Sequence, residues 1–460
     1  MIDVAIVFSY LLLLLIVGIV KRPSKQGFKN FSQIQENSSK SKWILVATIF
    51  VSTIGGGTTF GIAEKAFAEN IAYSYGLLFV IPIDILIAIY IIPRLVKHYG
   101  AETVGDIMSV YYGKTGRYIA GLGAILVSLG LVAAQISVSG HIFEYILQID
   151  HIWGVILSYT IVVIYTTIGG FRSVLFANQL QFFAILITIP IIACMGLHEI
   201  GISNFISSIP AEKFSFTHNS DLANMTIAAT LGFSVMNLFP TFIQRALINK
   251  NNMVTTKAIY IKSAIYAAFL IFVTINGLIA FVKYPDINAS IALPYLIDHM
   301  IPHGLQGLVV IGLLAAVMST ADSDLNITSI TLVKDFLQPI FDIKNQTKML
   351  FFARIINVFI GTISIAIALC FTRVVDLVIF ISGFWGPLVL IPLVFALFDI
   401  VLEKKAMCLS SIAGITSFVI WEQFFSYSYS FKGVFIGTIS NLAVFLLFYI
   451  IQRKNKGSLI

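Results

Sequence analysis

The stretch WILVATIFVSTIGGGTTFGIAEKAFA, residues 43–68, is apolar at both ends and interrupted in the middle by Ser52, Thr53, Gly55, Gly56, Gly57, Thr58 and Thr59. Three consecutive glycines raise the cost of helix, and the neighbouring hydroxyls offer other partners to backbone groups freed at membrane depth. The pattern predicts an unwound segment near Ser52 to Gly57. The competing reading is close helix packing through small residues, which is common in membrane bundles.

The rest of the chain supplies the membrane. Of its 460 residues 58% are hydrophobic and 11% charged, where a soluble domain carries roughly 25% charged residues. This composition excludes a water-soluble globular protein. A spanning helix needs about 20 mainly apolar residues, and thirteen segments qualify: 3–20, 43–65, 73–93, 118–146, 153–168, 175–197, 223–243, 258–282, 304–333, 351–371, 374–397, 407–425 and 433–451. The first lacks a basic n-region and is followed, not preceded, by basic residues, so it reads as a retained helix rather than a signal peptide.

Cytoplasmic loops accumulate Lys and Arg near helix ends. With the N-terminus outside, all but five of the 29 Lys and Arg sort to the inner side, Arg245 and Lys262 among them. The five are Lys65, Lys213, Lys283, Arg373 and Lys432. The net charge of +7 is then a statement about orientation rather than nucleic-acid binding, with the C-terminus inside. Loops are short, which leaves no separate soluble domain. In the 283–303 loop Leu293, Leu296, Ile297, Met300 and Ile301 are at helical spacing and predict a short interfacial helix. Cys194, Cys370 and Cys408 lie apart in apolar segments and read as small buried hydrophobes.

Five spans after the interrupted one, ATLGFSVMNLFPTFIQRAL places Gly232, Ser234, Asn237 and Pro240 in another apolar run. Pro240 cannot donate its N–H and disturbs the preceding turn, so it marks a second break. Spans two to six and seven to eleven are then two groups of five, each opening on an interrupted helix. Five being odd, the groups cross the membrane in opposite senses. Interrupted helices at matching places in inverted halves point to a midplane binding site, and so to a transporter. The expected fold is an all-α integral membrane protein of about 13 transmembrane helices. One transporter domain fills 1–460, with an extra helix at 3–20, inverted repeats at 43–197 and 223–397, and two further helices at 407–451.

The ninth span, GLVVIGLLAAVMSTADSDLNITSITLVKDF at 307–336, is the most polar. Ser319, Asp322, Ser323 and Asn326 recur at i, i+3, i+4 and i+7 on one helical face, with Thr320, Asp324 and Thr331 on a neighbouring one. A charged group near the bilayer centre costs roughly 2.5–3.5 kcal/mol on insertion scales, so two aspartates here need water, a partner or a cation. Hydroxyls and carbonyls suit a small alkali ion; the absence of a His/Cys cluster argues against a transition metal.

Three stretches, AAVMSTADSDLNITSITLVKDF at 315–336, IGGFRSVLFANQLQF at 168–182 and STIGGGTTFG at 52–61, with TFIQRAL at 241–247 as a weaker fourth, resemble the sodium:solute symporter family. The resemblance covers nearly the whole chain and implies the leucine-transporter fold and Na+-coupled uptake of a small organic solute such as a sugar, amino acid, sialic acid, pantothenate or choline. Carried over residue by residue, it puts a sodium site on the carbonyls of Val51, Ile54 and Ala316 and the hydroxyls of Ser319 and Thr320. Many members carry an aspartate after the Gly-Gly-Phe motif, in a pattern ending Thr-Asp-x-x-Gln. This chain has Ala177, Asn178 and Gln181 there. A neutral amide hydrogen-bonds but supplies no charge, which favours one Na+ per cycle, with Asp322, Ser323 and Asn178 as the residues to watch for coupling.

The solute is expected beside the breaks, facing Thr53, Gly55, Gly56, Gly57, Thr58, Tyr73, Tyr75, Gln135 and Asn237, with Phe384 and Trp385 as a gate. No charged side chain near the breaks dictates which solute. Asp84, in an apolar span, has no evident partner. The histidines fall in loops or near interfaces, His141 near an outer helix end, which does not suggest a buried proton relay. Phosphate loop, HExxH and nucleophile elbow are missing from the sequence, so the expected protein is not an enzyme. The alternatives are a proton-coupled carrier using Asp322 or Asp324, and a solute-sensing receptor.

Overall fold

The structure is a computed structural model, and residues 2–22, 27–35, 41–214, 238–370, 380, 383–425 and 433–457 are described. The helices are α1 (Ile2–Val20), α2 (Phe28–Ser32), α3 (Ser41–Thr53), α4 (Gly56–Ala68), α5 (Ala72–Leu78), α6 (Val80–Leu86), α7 (Ile92–Leu95), α8 (Val104–Leu147), α9 (His151–Ile200), α10 (Ile202–Ser208), α11 (Pro240–Ala246), α12 (Asn252–Lys283), α13 (Ala292–Met300), α14 (Leu305–Thr331), α15 (Gln338–Phe341), α16 (Gln346–Cys370), α17 (Ile391–Leu397), α18 (Lys404–Phe424) and α19 (Gly433–Gly457). Among the described residues there are no strands.

Among the described residues nine helical stretches are long and apolar enough to cross a membrane, and ten if the bent pair α3 and α4 is one span. The expected count of thirteen is not established by these numbers. The expected fifth and sixth spans lie within α9, which folds sharply at Gly170, where φ is 59°; a left-handed φ is a conformation glycine adopts without steric cost. Most of the expected seventh span, and part of the eleventh, lie outside the described residues.

α14 sits at the centre. Every residue from Gly312 to Thr331 is buried, and the helix packs chiefly on α9 and α8, with α1 and α3 also in contact. A sequence pattern of faces therefore becomes a set of different neighbours. α12 packs along both halves of the bent pair. In the 283–303 loop a helix does form, α13, but Leu293, Leu296 and Ile297 are buried. Its apolar face goes to the protein rather than to lipid. Cys194 is exposed and Cys408 half-buried, which corrects the reading of these two as core residues; in a membrane span an exposed apolar side chain meets hydrocarbon.

Two basic residues that loop sorting put on the inner side are not topological charges. Lys262 is 1% exposed and its Nζ lies 2.8 Å from Asp84 Oδ2, which also accepts from Ser263 Oγ at 2.8 Å. Asp84 thus has the partner that the sequence did not reveal. Removing one member of a buried pair leaves an uncompensated charge, at a cost of about 3–5 kcal/mol. Lys262→Met should lower the thermal unfolding midpoint strongly, and adding Asp84→Asn should recover much of the loss. Additive losses in this double-mutant cycle would rule out an energetic role for the pair.

Candidate functional site

The chain bends by 56° between α3 and α4. Ile54 and Gly55 lie between the helices, with Gly55 extended at φ −146°, ψ −170°. The predicted unwinding is present but short. None of the three glycines has a positive φ; what they supply is room. A Cβ on Gly55 would come within 3.0 Å of the Gln135 amide, and one on Gly56 within 2.8 Å of the Val138 side chain. α8 can therefore approach the break closely, and Gln135 Oε1 accepts from Gly56 N at 2.8 Å. Thr58 Oγ1 accepts from Gly55 N at 2.8 Å and donates to Gly55 O at 3.1 Å. Two backbone donors at this helix start, Gly55 N and Gly56 N, are thus met by side chains.

At the end of α3 the carbonyls of Val51, which also accepts from Ile54 N at 3.2 Å, and of Ile54 face α14. Ser319 Oγ lies 3.1 Å from Val51 O and 3.1 Å from Ala316 O, and Thr320 Oγ1 donates to Ile54 O at 2.7 Å. The five residues assigned to the sodium site by resemblance are therefore brought together, as three carbonyl and two hydroxyl oxygens. This set holds no net charge and no nitrogen or sulfur, a composition that suits a hard monovalent cation.

Beyond it the polar stripe divides among neighbours. Asp322 accepts from Tyr165 Oη on α9 and, at 2.9 Å, from Ser323 Oγ. Asp324 points elsewhere and accepts from Ser128 Oγ on α8 at 2.8 Å. Both aspartates are buried with protein partners.

Sequence reasoning missed Arg245. It was sorted to an inner loop, yet its side chain is fully buried behind the five-oxygen cluster. Nε donates to Thr48 Oγ1 at 2.8 Å, Nη1 to Thr241 O at 2.8 Å and Nη2 to Ser323 Oγ at 2.5 Å. It is close enough to interact with the charges of Asp322 and Asp324. With its amide oxygen facing this group, Asn178 accepts from Thr48 Oγ1 (2.8 Å) and Arg245 Nη2 (3.2 Å) and donates to Val174 O (3.2 Å) and Gln181 Oε1 (3.0 Å). A carboxylate at 178 could not make the two donations. The signal for Arg245 was present in TFIQRAL, one of the quoted stretches.

At Pro240 the chain does change course, and the part of the expected span before residue 238 lies outside the described residues. Pro240 is the first residue of α11, where its missing N–H costs nothing, and the irregular backbone lies just before it, with Leu238 at φ 61° and Phe239 extended. Of the expected solute residues, Thr53 turns its hydroxyl back to Phe50 O at 2.7 Å, and Tyr73 is half-buried while Tyr75 is exposed. Asn237 lies outside the described residues. Trp385 is fully buried, edge-on to Phe239 with centroids 6.2 Å apart. Phe384 packs on Phe418 of α18 at 5.0 Å.

An interrupted helix, oxygen atoms gathered at the interruption and a surrounding set of long apolar helices define a multi-pass membrane protein. The chain belongs to the sodium:solute symporter family, which it matches over residues 37–414, a family of transporters rather than enzymes. It is similar to sodium/glucose cotransporter 1 of Oryctolagus cuniculus, 21% identical over 422 residues that cover 79% of this chain and 62% of the relative. It is also similar to the sodium/sialic acid symporter SiaT of Proteus mirabilis (strain HI4320), 23% identical over 348 residues, 71% of this chain and 69% of that one. The chain spans about three fifths of the length of the sodium/glucose cotransporters that it matches. In fold it is similar to a Na+-coupled sialic acid symporter solved in a substrate-bound outward-open state, with a TM-score of 0.82, 20% identity and coverage of 98% of this chain and 97% of that one. The leucine-transporter fold expected from the sequence is the fold of such neighbours.

Proposed function

We propose that this protein is a secondary active transporter that couples Na+ entry to uptake of a small organic solute by alternating access. The observation that carries the reading is the convergence of Val51 O, Ile54 O and Ala316 O with Ser319 Oγ and Thr320 Oγ1. Carbonyls and hydroxyls do not titrate near neutral pH, so this cluster serves a metal cation and not a proton. Na+ bound there would replace the hydroxyl-to-carbonyl bonds with oxygen–ion contacts and join α3 to α14. An ion shifts a conformational equilibrium only by its differential affinity, so the outward-facing form must bind it better. A membrane potential adds about 2.3 kcal/mol per charge per 100 mV.

We assign one Na+ per cycle, because Arg245 already brings a positive charge beside Asp322, Ser323 and Asn178. In the same reading 43–197 and 223–397 are the inverted repeats, Gln135 and the Gly55 to Thr58 turn border the solute, and Trp385 with Phe384 forms the gate. The chain spans a cell membrane with its N-terminus outside and C-terminus in the cytoplasm. The test is thermal unfolding of the purified protein in NaCl against choline chloride, with a panel of sugars, amino acids, carboxylates including sialic acid, and quaternary amines. Stabilisation by a solute only in Na+ is the expected result. Uptake into proteoliposomes driven by a pH gradient without Na+ would replace this reading with the proton-coupled one.

A further inference from the structure

Away from the break, α8 and α9 bring together three metal-ligating side chains. His141 and Glu144 lie in the last turns of α8, and His151 is the first residue of α9. One ligand atom from each lies within 4.8 Å of the others. Both imidazole Nδ1 atoms lie 3.5 Å from Glu144 Oε2, and the two rings are 4.6 Å apart. His151 Nδ1 is buried and has no hydrogen-bond partner, a state that a bound ion would relieve.

The backbone holds this arrangement in place. His141 and Glu144 are three apart and share a helix face. α8 ends at Gln148 in the left-handed conformation (φ 55°), and Asp150 caps α9 by accepting from Ile152 N at 3.0 Å. The turn between them is thus fixed at both ends. The helices are pressed together at two glycines: a Cβ on Gly140 would lie 2.4 Å from the His151 ring, and one on Gly154 would lie 2.4 Å from Phe143 Cβ. Larger residues at either place would move His151 away from the other two.

Two imidazoles and one carboxylate, with a fourth position open to solvent, form a ligand set for tetrahedral Zn2+. With bonds of about 2.0–2.2 Å, tetrahedral ligand atoms are about 3.3–3.6 Å apart. The two His–Glu separations, both 3.5 Å, already have this length. The two nitrogens disfavour Ca2+ and Mg2+, which take oxygen ligands. We propose that His141, Glu144 and His151 form a site for a Zn2+-class transition-metal ion that clamps the end of α8 to the start of α9. On the orientation given under Proposed function, the ion arrives from the external medium.

The full-length protein, stripped with EDTA and returned to metal-free buffer, is titrated with Zn2+ by calorimetry. One equivalent per chain is expected, weakened at least tenfold by His151→Ala and by Glu144→Gln. Co2+ should give the visible absorption of a tetrahedral site in the parent and lose it in the His141→Ala, His151→Ala variant. None of these side chains belongs to the proposed ion or solute sites, so Na+-dependent stabilisation in metal-free buffer should persist in every variant and reports that each is folded. Zn2+ binding that is weaker than millimolar, or equal in the parent and the folded Glu144→Gln protein, would overturn the proposal. Loss of Na+ stabilisation in the parent would instead count against the transport reading.

Discussion

Uptake by the Ser319→Ala, Thr320→Ala protein should need at least ten times more Na+ for half-maximal rate, with membrane insertion and yield unchanged. Each hydroxyl now contacts a carbonyl at the end of α3, Ser319 with Val51 and Thr320 with Ile54. Alanine removes two of five oxygens from the proposed ion shell. A tenfold change corresponds to about 1.4 kcal/mol, a modest figure for two lost ligands. Thr320→Ser keeps the oxygen and should stay close to the parent. Val51→Ala and Ile54→Ala should also be mild, since those residues contribute carbonyls that any side chain supplies. The readout is the Na+ dependence of solute uptake in proteoliposomes. Unchanged dependence in the double variant would remove the ion-site assignment, and an equal loss in Thr320→Ser would mean that side-chain shape, not the oxygen, is what counts.

The parts of this site written in local sequence were legible, and those made by distant pairing were not. The run from Ser52 to Thr59 puts three glycines and four hydroxyls into an apolar span, and both the break and its contact with Ser319 and Thr320 in the middle of α14 followed from that and from the family resemblance. Apolar runs located the long helices, though not the short ones at Phe28–Ser32 and Ile202–Ser208 nor the first turns of α8. The spacing of the ninth span placed Asp322 and Ser323 on one face, but it had no means of showing that α14 is surrounded, so that Asp322 turns to Tyr165, Ser323 to Arg245 and Asp324 to Ser128. Lys262 and Arg245 were missed for one reason. Sorting basic residues by loop treats each as a solvated charge, whereas their partners Asp84 and Ser323 are 178 and 78 residues away. The break expected at Pro240 is matched on its far side, where a helix starts at Pro240 after irregular backbone at Leu238 and Phe239; the residues before 238 lie outside the described ones.

Arg245→Met is expected to be the most damaging single substitution outside the five-oxygen cluster, and to change how the protein responds to Na+. The guanidinium bonds in three directions at once, to Thr48, Thr241 O and Ser323, while Asn178 passes the network on to Gln181. Methionine fills a similar length but leaves Thr48, Thr241 O and Asn178 short of donors and leaves Asp322 without its nearest positive charge. Loss of one partner from a buried charge network costs about 3–5 kcal/mol, enough to lower the unfolding midpoint by many degrees. Lysine should rescue only part, because its ammonium donates from one point and does not reproduce the planar fork. The sharper readout is Na+ itself. If Arg245 stands in for the charge of a second cation, its removal opens a place beside Asp322, Ser323 and Thr48 where Na+ restores the missing charge. Ligands that bind only the folded state stabilise it by mass action, so the Arg245→Met protein should gain more stability from Na+ than the parent does, and along a steeper curve, while choline chloride gives it nothing. A parallel shift, with both proteins gaining equally from Na+, would leave Arg245 as a structural strut and return the number of ions per cycle to direct measurement by charge-to-solute flux.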